Sequence, residues 1–275
     1  MSPRSAAVRI GPRSAAVLAL TTLAGLAMFL WPLLLTPPDG TSHTSDAPFV
    51  FVLILPVVIA VVLAEVKSGG MDTKSIAMLG VLSAIGAALR PMGAGVAGIE
   101  TVFFMLILAG RVYGPGFGFV LGNTTMFASA LLTGGIGPWL PFQMLAAAWF
   151  GLGAGLLPQR PRGRSEILML TGYGVFSAYA YGFLINMWFW PYAIGADTQL
   201  SFVAGDPVLE NLRRFVVYTF ATSTFGWDTG RAITNAVAIL VLGPTVLSVL
   251  RRANRRAAFD APMAFEPAGA ARLPT

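Results

Sequence analysis

The sequence predicts an all-α polytopic membrane protein, on three observations. Hydrophobic residues make up 56% of the 275 residues and charged residues only 11%, with a mean hydropathy of +0.73, too few charges to solvate a soluble domain of this length. The apolar residues lie in continuous runs rather than alternating, the pattern of helices that need about 20 residues to cross roughly 30 Å of hydrocarbon and satisfy their own backbone. The basic residues fall in short clusters between those runs, so the formal charge of +6 points to membrane topology and not to nucleic acid.

The first run follows Arg4, Arg9 and Arg13 and reads "SAAVLALTTLAGLAMFLWPLLL". It is long enough to span and ends in Trp-Pro rather than a small-residue cleavage site, so it is expected to be an uncleaved anchor. Further spans are expected at 49–66, 75–89, 98–113, 116–132, 139–157, 167–190 and 232–250, eight in all. The stretch 98–113, "GIETVFFMLILAGRVY", has the shortest apolar core, and basic-residue parity decides for it. With eight spans and a cytoplasmic N-terminus, fourteen of the eighteen basic residues fall inside; only Arg90, Arg213, Arg214 and Arg231 fall outside. Dropping 98–113 would throw "PQRPRGR" to the outer face and spoil the asymmetry. Both termini are therefore expected in the cytoplasm of a multi-pass cell (inner) membrane protein. The outer side takes seven of the twelve acids: Asp39, Asp46, Glu100, Asp197, Asp206, Glu210 and Asp228.

The connection 192–231 breaks the rule of tight loops, and "FVVYTFATSTFGW" within it has the look of an interfacial or half-spanning helix. The Ala- and Pro-rich tail after Arg256 is expected to be disordered. The chain divides into a basic cytoplasmic N-terminus (1–14), two helices with a linker (15–72), a main membrane domain (73–250) and a basic tail (251–275).

The chemistry is narrowed by what the chain lacks. It has no cysteine and a single histidine, His43, so zinc sites and Ser-His-Asp triads have no material. The two lysines, Lys67 and Lys74, follow Val66 and Thr73, so no Gly-Lys phosphate loop exists and ATP-driven work requires a partner. No Asp, Lys or Arg lies in the middle of an expected span, which argues against a proton pump or voltage sensor. No cofactor, metal site or catalytic residue is assigned.

Polar and aromatic residues gather instead on the outer side. Arg90 and Glu100 flank "PMGAGVAG"; Thr133, Trp139 and Gln143 flank "GGIGP"; Asn186, Trp188, Trp190, Tyr192, Trp227 and Asp228 flank the long third loop. Glycine permits close backbone approach, and Trp offers a flat apolar face with one N–H donor, the make-up of a small-molecule pocket. The same aromatics also suit bilayer interfaces, and Arg90 with Glu100 also suits a plain ion pair at helix ends. Asn123 and Asn235 fit helix-to-helix hydrogen bonds better than ligand contacts. On 75–89, Gly80, Ala84 and Ala88 recur at spacing four, a smooth stripe that another helix can approach closely.

Together, "MLGVLSAIGAALRPMGAGVAGIETVFFMLILAGRVYGPGFGFVLG" and "TGGIGPWLPFQMLAAAWFGLGAGLLP" resemble the substrate-specific (S) component of energy-coupling factor (ECF) transporters, particularly the actinobacterial members. The resemblance covers about 75–250 and is most specific in "GPWLPFQM". It implies a six-helix bundle preceded here by two additional transmembrane helices. It further implies vitamin import, with ligand held near the outer face by Arg90, Glu100, Thr133, Trp139, Gln143, Asn186, Trp188 and Trp227. Gly80, Ala84 and Ala88 match the family's docking stripe for a transmembrane coupling subunit that carries two cytoplasmic ATPase subunits. Members close to "GPWLPFQM" resemble cobalamin-type importers. Two other readings remain at this stage: a scaffolding membrane protein without substrate, and an intramembrane enzyme using Glu100 or Asp228.

Overall fold

A computed structural model of the chain describes residues 11–34, 55–56, 58–64, 66–67, 71, 73–93, 97–193, 198–203 and 205–257. His43, the tail beyond 257 and the first half of the expected span 49–66 lie outside the described residues. Those described are helical apart from short connections. In chain order the helices are α1 (Pro12–Phe29), α2 (Thr73–Leu89), α3 (Phe103–Tyr113), α4 (Pro115–Thr133), α5 (Leu140–Leu156), α6 (Arg164–Ala193), α7 (Val208–Thr219) and α8 (Thr229–Ala257). A single turn, Trp31–Leu34, follows α1, and residues 58–64 are helical, with Val58 and Val62 in the core.

Among the described residues, five helical stretches are long and apolar enough to cross a membrane: Pro12–Phe29, Thr73–Met92, Pro115–Thr133, Arg164–Pro191 and Val208–Arg255. α3 and α5 are shorter. The expected span 98–113 is helical only over Phe103–Tyr113, about 16 Å at 1.5 Å per residue. The segment 97–102 is held out of the helix by left-handed backbone at Ala97 (φ 46°) and Gly98 (φ 75°). Within 192–231 the helix expected at 215–227 is present as part of a longer one. From Val208 the chain is helical, passing through a π-helical stretch, Phe220–Asp228, into α8 without a break in helical dihedrals.

α3 sits at the centre. Ten of its eleven residues are buried, and it packs against α4, α5, α6 and α8. Close approach is made by glycine. A Cβ on Gly151 of α5 would fall on the carbonyl of Gly118 in α4, 2.6 Å from its carbon. One on Gly110 of α3 would fall on Gly151, and one on Gly122 of α4 would lie 2.5 Å from the backbone of Ala148. α2 packs mainly on α4 through Leu79, Leu82, Ser83 and Gly86, with Ser83 and Thr124 hydroxyls 2.7 Å apart. α1 lies against α5 and α6, where Gly25 seats the Trp149 ring and Phe29 meets Phe142 edge-on at 5.2 Å.

Buried polar groups divide between own-helix and cross-helix bonds. Asn235 of α8 donates to the Gly174 carbonyl of α6 (3.2 Å), the helix-to-helix bond expected of it. Asn123 does not make one among the described residues: its amide donates to the Phe119 carbonyl one turn back in α4 (3.0 Å).

One end of the bundle is tied by charge. Arg111 of α3 donates through Nε to Glu166 of α6 (2.7 Å) and through Nη1 to the carbonyls of Leu157 and Pro158; Arg251 of α8 donates to the same Glu166 oxygen (2.7 Å). The Tyr113 hydroxyl adds a bond to the Leu250 carbonyl (3.3 Å). This is the end that collects the basic clusters 160–164 and 251–255.

The glycine contacts give a direct test. Gly151→Val forces α4 and α5 apart and is expected to cost about 2 kcal/mol or more, read as a lower thermal midpoint of the purified protein. Gly172→Ala, where an added Cβ meets nothing within 4 Å, is expected to leave the midpoint unchanged or slightly raised.

Candidate functional site

The residues singled out on the sequence gather at the opposite end of the bundle, in two neighbouring groups. The first is built on the start of α5. Gly134 ends α4 in a left-handed conformation (φ 66°), and the Gly135 N–H reaches back to the Ala130 carbonyl (2.9 Å), a glycine C-cap that satisfies an orphan carbonyl. The Trp139 ring then folds over Gly137, and its indole N–H donates to the Gly135 carbonyl (3.3 Å) while the residue stays 44% exposed. The turn and the tryptophan are thus one unit, set directly above Gln143.

Gln143 is half-buried and accepts a hydrogen bond from the Arg90 guanidinium (2.8 Å) across the gap between α5 and the end of α2. Phe142, beside it, stacks on Trp188 of α6 with centroids 4.4 Å apart and planes 3° from parallel. Trp188 is 3% exposed, so in this conformation it packs rather than presents a free face. Asn186 is half-buried, and its amide nitrogen is buried with no hydrogen-bond partner among the described residues. An amide donor in that condition costs free energy until something accepts from it. Thr133 bonds back to the Ser129 carbonyl (2.8 Å) on the exposed end of α4.

The second group is centred on a residue that sequence reasoning placed in an outer segment and gave no role. Arg231, in the first turn of α8, is 6% exposed at its side chain. Its Nε and Nη2 donate to the two carboxylate oxygens of Glu100 (2.9 and 3.3 Å), and Nη1 donates to Asp228 (2.9 Å) and to the Ala178 carbonyl (3.3 Å). Its charged carbon lies 4.6 Å from the Tyr181 ring centroid and 5.7 Å from that of Phe103. Paired, bidentate and ring-stacked, this guanidinium has the partners that a buried charge requires.

Arg90 and Glu100 are therefore not partners of each other: Glu100 takes Arg231, and Arg90 takes Gln143. The segment between them is pinned by the Thr101 hydroxyl, which donates to the Leu89 carbonyl (2.6 Å). Asp228, 2% exposed at its side chain, also accepts from the Ser223 hydroxyl (3.0 Å). Ser223 and Asp228 meet because the π turn brings residues five apart into register; Thr229 likewise bonds the Thr224 carbonyl (2.6 Å). Trp227 is 44% exposed, with its backbone against Gly98. The one sequence cue for this group was "DTGR", an acid three residues ahead of an arginine at a helix start.

Such an arrangement can bind and hold: Ser223 donates to a carboxylate that Arg231 already occupies, and Glu100, Asp228 and Arg231 are tied to one another. Long apolar helices with polar and aromatic groups gathered at one end are the make-up of a membrane protein that binds a small molecule. A family model described as "ECF transporter, substrate-specific component" matches residues 74–246, more than half of the chain. The chain belongs to that family: it is a multi-pass, substrate-binding membrane subunit of a transporter rather than an enzyme. A search of curated proteins and a search of solved structures each returned no significant match.

Arg231→Gln leaves two acids without their cation, one of them fully buried. It is expected to lower stability by about 3–5 kcal/mol, and Glu100→Gln with Asp228→Asn in the same chain is expected to recover most of the loss, read by thermal unfolding of the three proteins.

Proposed function

We propose that the chain captures a vitamin or related micronutrient at the Arg90–Gln143 end of the bundle, facing the outside, and delivers it through an ECF module made of a transmembrane coupling subunit and two cytoplasmic ATPase subunits. The observation that carries this reading is the state of α2. Gly80, Ala84 and Ala88 are all exposed, and a Cβ on Gly80 would meet nothing within 4 Å. In a chain of this family, a smooth stripe left bare beside a well-packed opposite face supports docking of another helix. Ala84→Trp is expected to abolish uptake and copurification of the coupling subunit while leaving substrate binding intact; wild-type uptake by this variant would refute the docking role.

The proposed substrate contacts are Arg90, Glu100, Thr133, Trp139, Gln143, Asn186, Trp188 and Trp227. Arg90 and Gln143 occupy each other across a helix gap, so a ligand carboxylate or amide oxygen could take the place of Gln143 on Arg90, and a ligand amide N–H that of Arg90 on Gln143. Asn186 supplies a donor that lacks an acceptor. Thr133, Trp139 and Trp227 would form the lid, and Trp188 the apolar wall. Glu100, held by Arg231, would keep the 97–102 segment in place. A cobalamin-type ligand fits the abundance of aromatic and uncharged polar groups, and the "GPWLPFQM" segment favours the actinobacterial members as nearest kin. Both termini are placed in the cytoplasm on the strength of the basic clusters at the Arg111–Glu166–Arg251 end. The domain division stands with this reading: a six-helix binding domain over 73–250, with the helices before it an addition.

Native mass spectrometry of the purified protein is expected to find a retained vitamin, and Gln143→Ala is expected to weaken its binding about tenfold, the loss of one hydrogen bond to a charged or ligand group, with little change in thermal midpoint. Empty protein that binds no vitamin in titration would favour the scaffolding reading.

A further inference from the structure

The basic end of the bundle carries two cavities that share a wall. A polar pocket of about 290 Å³ is lined by Arg111, Arg160, Arg162, Glu166 and Arg251, with Gln159 and Pro161. Beside it, a groove of about 560 Å³ between α6 and α8 is lined along its length by Ile167, Leu168, Leu240, Pro244 and Leu247, with Gly163 and Arg164 at the end where it meets the pocket at Glu166 and Arg251.

The charges do not balance. Glu166 is the one acid on the pocket wall, and both Arg111 and Arg251 already bond to it at 2.7 Å. Arg160 and Arg162 are exposed and join no ion pair among the described residues. The pocket therefore holds surplus positive charge aimed at an anion. The groove has the opposite character. Leu168 and Leu240 are 64% and 47% exposed along it, and Pro244 cannot donate to the Leu240 carbonyl, which interrupts the α8 ladder midway along the groove. From Arg251 to Leu240 the groove runs about 16 Å along α8 at 1.5 Å per residue.

An anion-seeking head joined to an apolar slot that opens sideways on two membrane-length helices matches one kind of ligand. We propose that this end binds an anionic phospholipid, its phosphate against Arg160, Arg162 and Arg251 and one acyl chain along Leu168, Leu240 and Leu247. Basic pockets between transmembrane helices recognise acidic headgroups by this chemistry. An acidic peptide from a partner would satisfy the arginines but would have no use for the groove. A free phosphate would likewise leave it empty. The site lies at the far end from the substrate contacts and stands independently of them.

The test uses the full-length protein, delipidated and titrated with dioleoylphosphatidylglycerol, dioleoylphosphatidylcholine, glycerophosphoglycerol or inorganic phosphate, with retention read by native mass spectrometry. Phosphatidylglycerol is expected to be retained over phosphatidylcholine, and the two chain-free anions are expected to compete only weakly. Arg160→Gln with Arg162→Gln, both in an exposed connection, is expected to reduce phosphatidylglycerol affinity tenfold or more without moving the thermal midpoint in detergent. Equal retention of the two lipids, or unchanged affinity in the double variant, would overturn the site. Inorganic phosphate binding as tightly as the lipid would reassign it to a free anion. Loss of copurifying coupling subunit with unaltered lipid affinity would make it a protein interface; either result rejects the proposal.

Discussion

The fold rests on backbone touching backbone where α3, α4 and α5 meet. Lipid tails are as apolar as leucine, so helices in a bilayer gain little by hiding from solvent and are held by fit. Gly110, Gly118, Gly122 and Gly151 provide that fit by leaving no side chain between the helices. α2 joins this centre through α4, α1 through α5, and α6 and α8 through the flank of α3, while α7 packs on α6 and the π-helical stretch. The ion pairs work at the two ends of the same unit, one at Glu166 and one at Arg231, each drawing together helices distant in sequence. A rigid middle with charged ties at both ends is what allows polar residues at one end to be held in fixed relation without crossing the core.

Much of this arrangement was legible in the chain. Continuous apolar runs located α2, α4, α5 and α6 to within about three residues and the cores of α1 and α8, whose C-terminal ends differ by about six and seven residues, because length and hydropathy are the constraints a bilayer imposes. The parity of basic residues grouped 111, 160–164 and 251 on one side, and the structure joins those segments through Glu166. In two regions the extent of the helix depends on contacts that lie outside local sequence. The stretch 98–113 looks like one apolar helix, yet Gly98 and Ala97 are held in left-handed backbone against Trp227 and Gly230, a contact more than 120 residues away in sequence. Within 192–231 the helix expected at 215–227 is present, but its extent was not legible: it starts at Val208 and runs on into α8, with Phe215 and Tyr218 packed on Trp190 and Met187.

The site was legible by residue and not by pairing. Arg90, Gln143, Trp139 and Glu100 stood out as polar or aromatic groups in a greasy chain, and the structure puts them at one end. Proximity in sequence favoured Arg90 with Glu100, but geometry gave Glu100 to Arg231, whose planar fork can take both carboxylate oxygens. Arg231 itself escaped notice because charges near a helix start are ordinary, and only the tertiary fold reveals that this one is enclosed by Tyr181 and Phe103. Ser223 was invisible for a different reason: in an α-helix it would point well away from Asp228.

That last point reaches beyond one hydrogen bond. The nine residues from Phe220 to Asp228 wind more slowly than their neighbours, so they act as a phase shifter between two otherwise regular rods. Their length fixes the azimuth at which α7 leaves α8, and with it whether Phe215 meets the Trp190 ring or swings toward lipid. The cover over one end of the bundle and the anchoring of its buried arginine are consequently timed by the same few turns of backbone, and any variation in the number of residues there changes both at once.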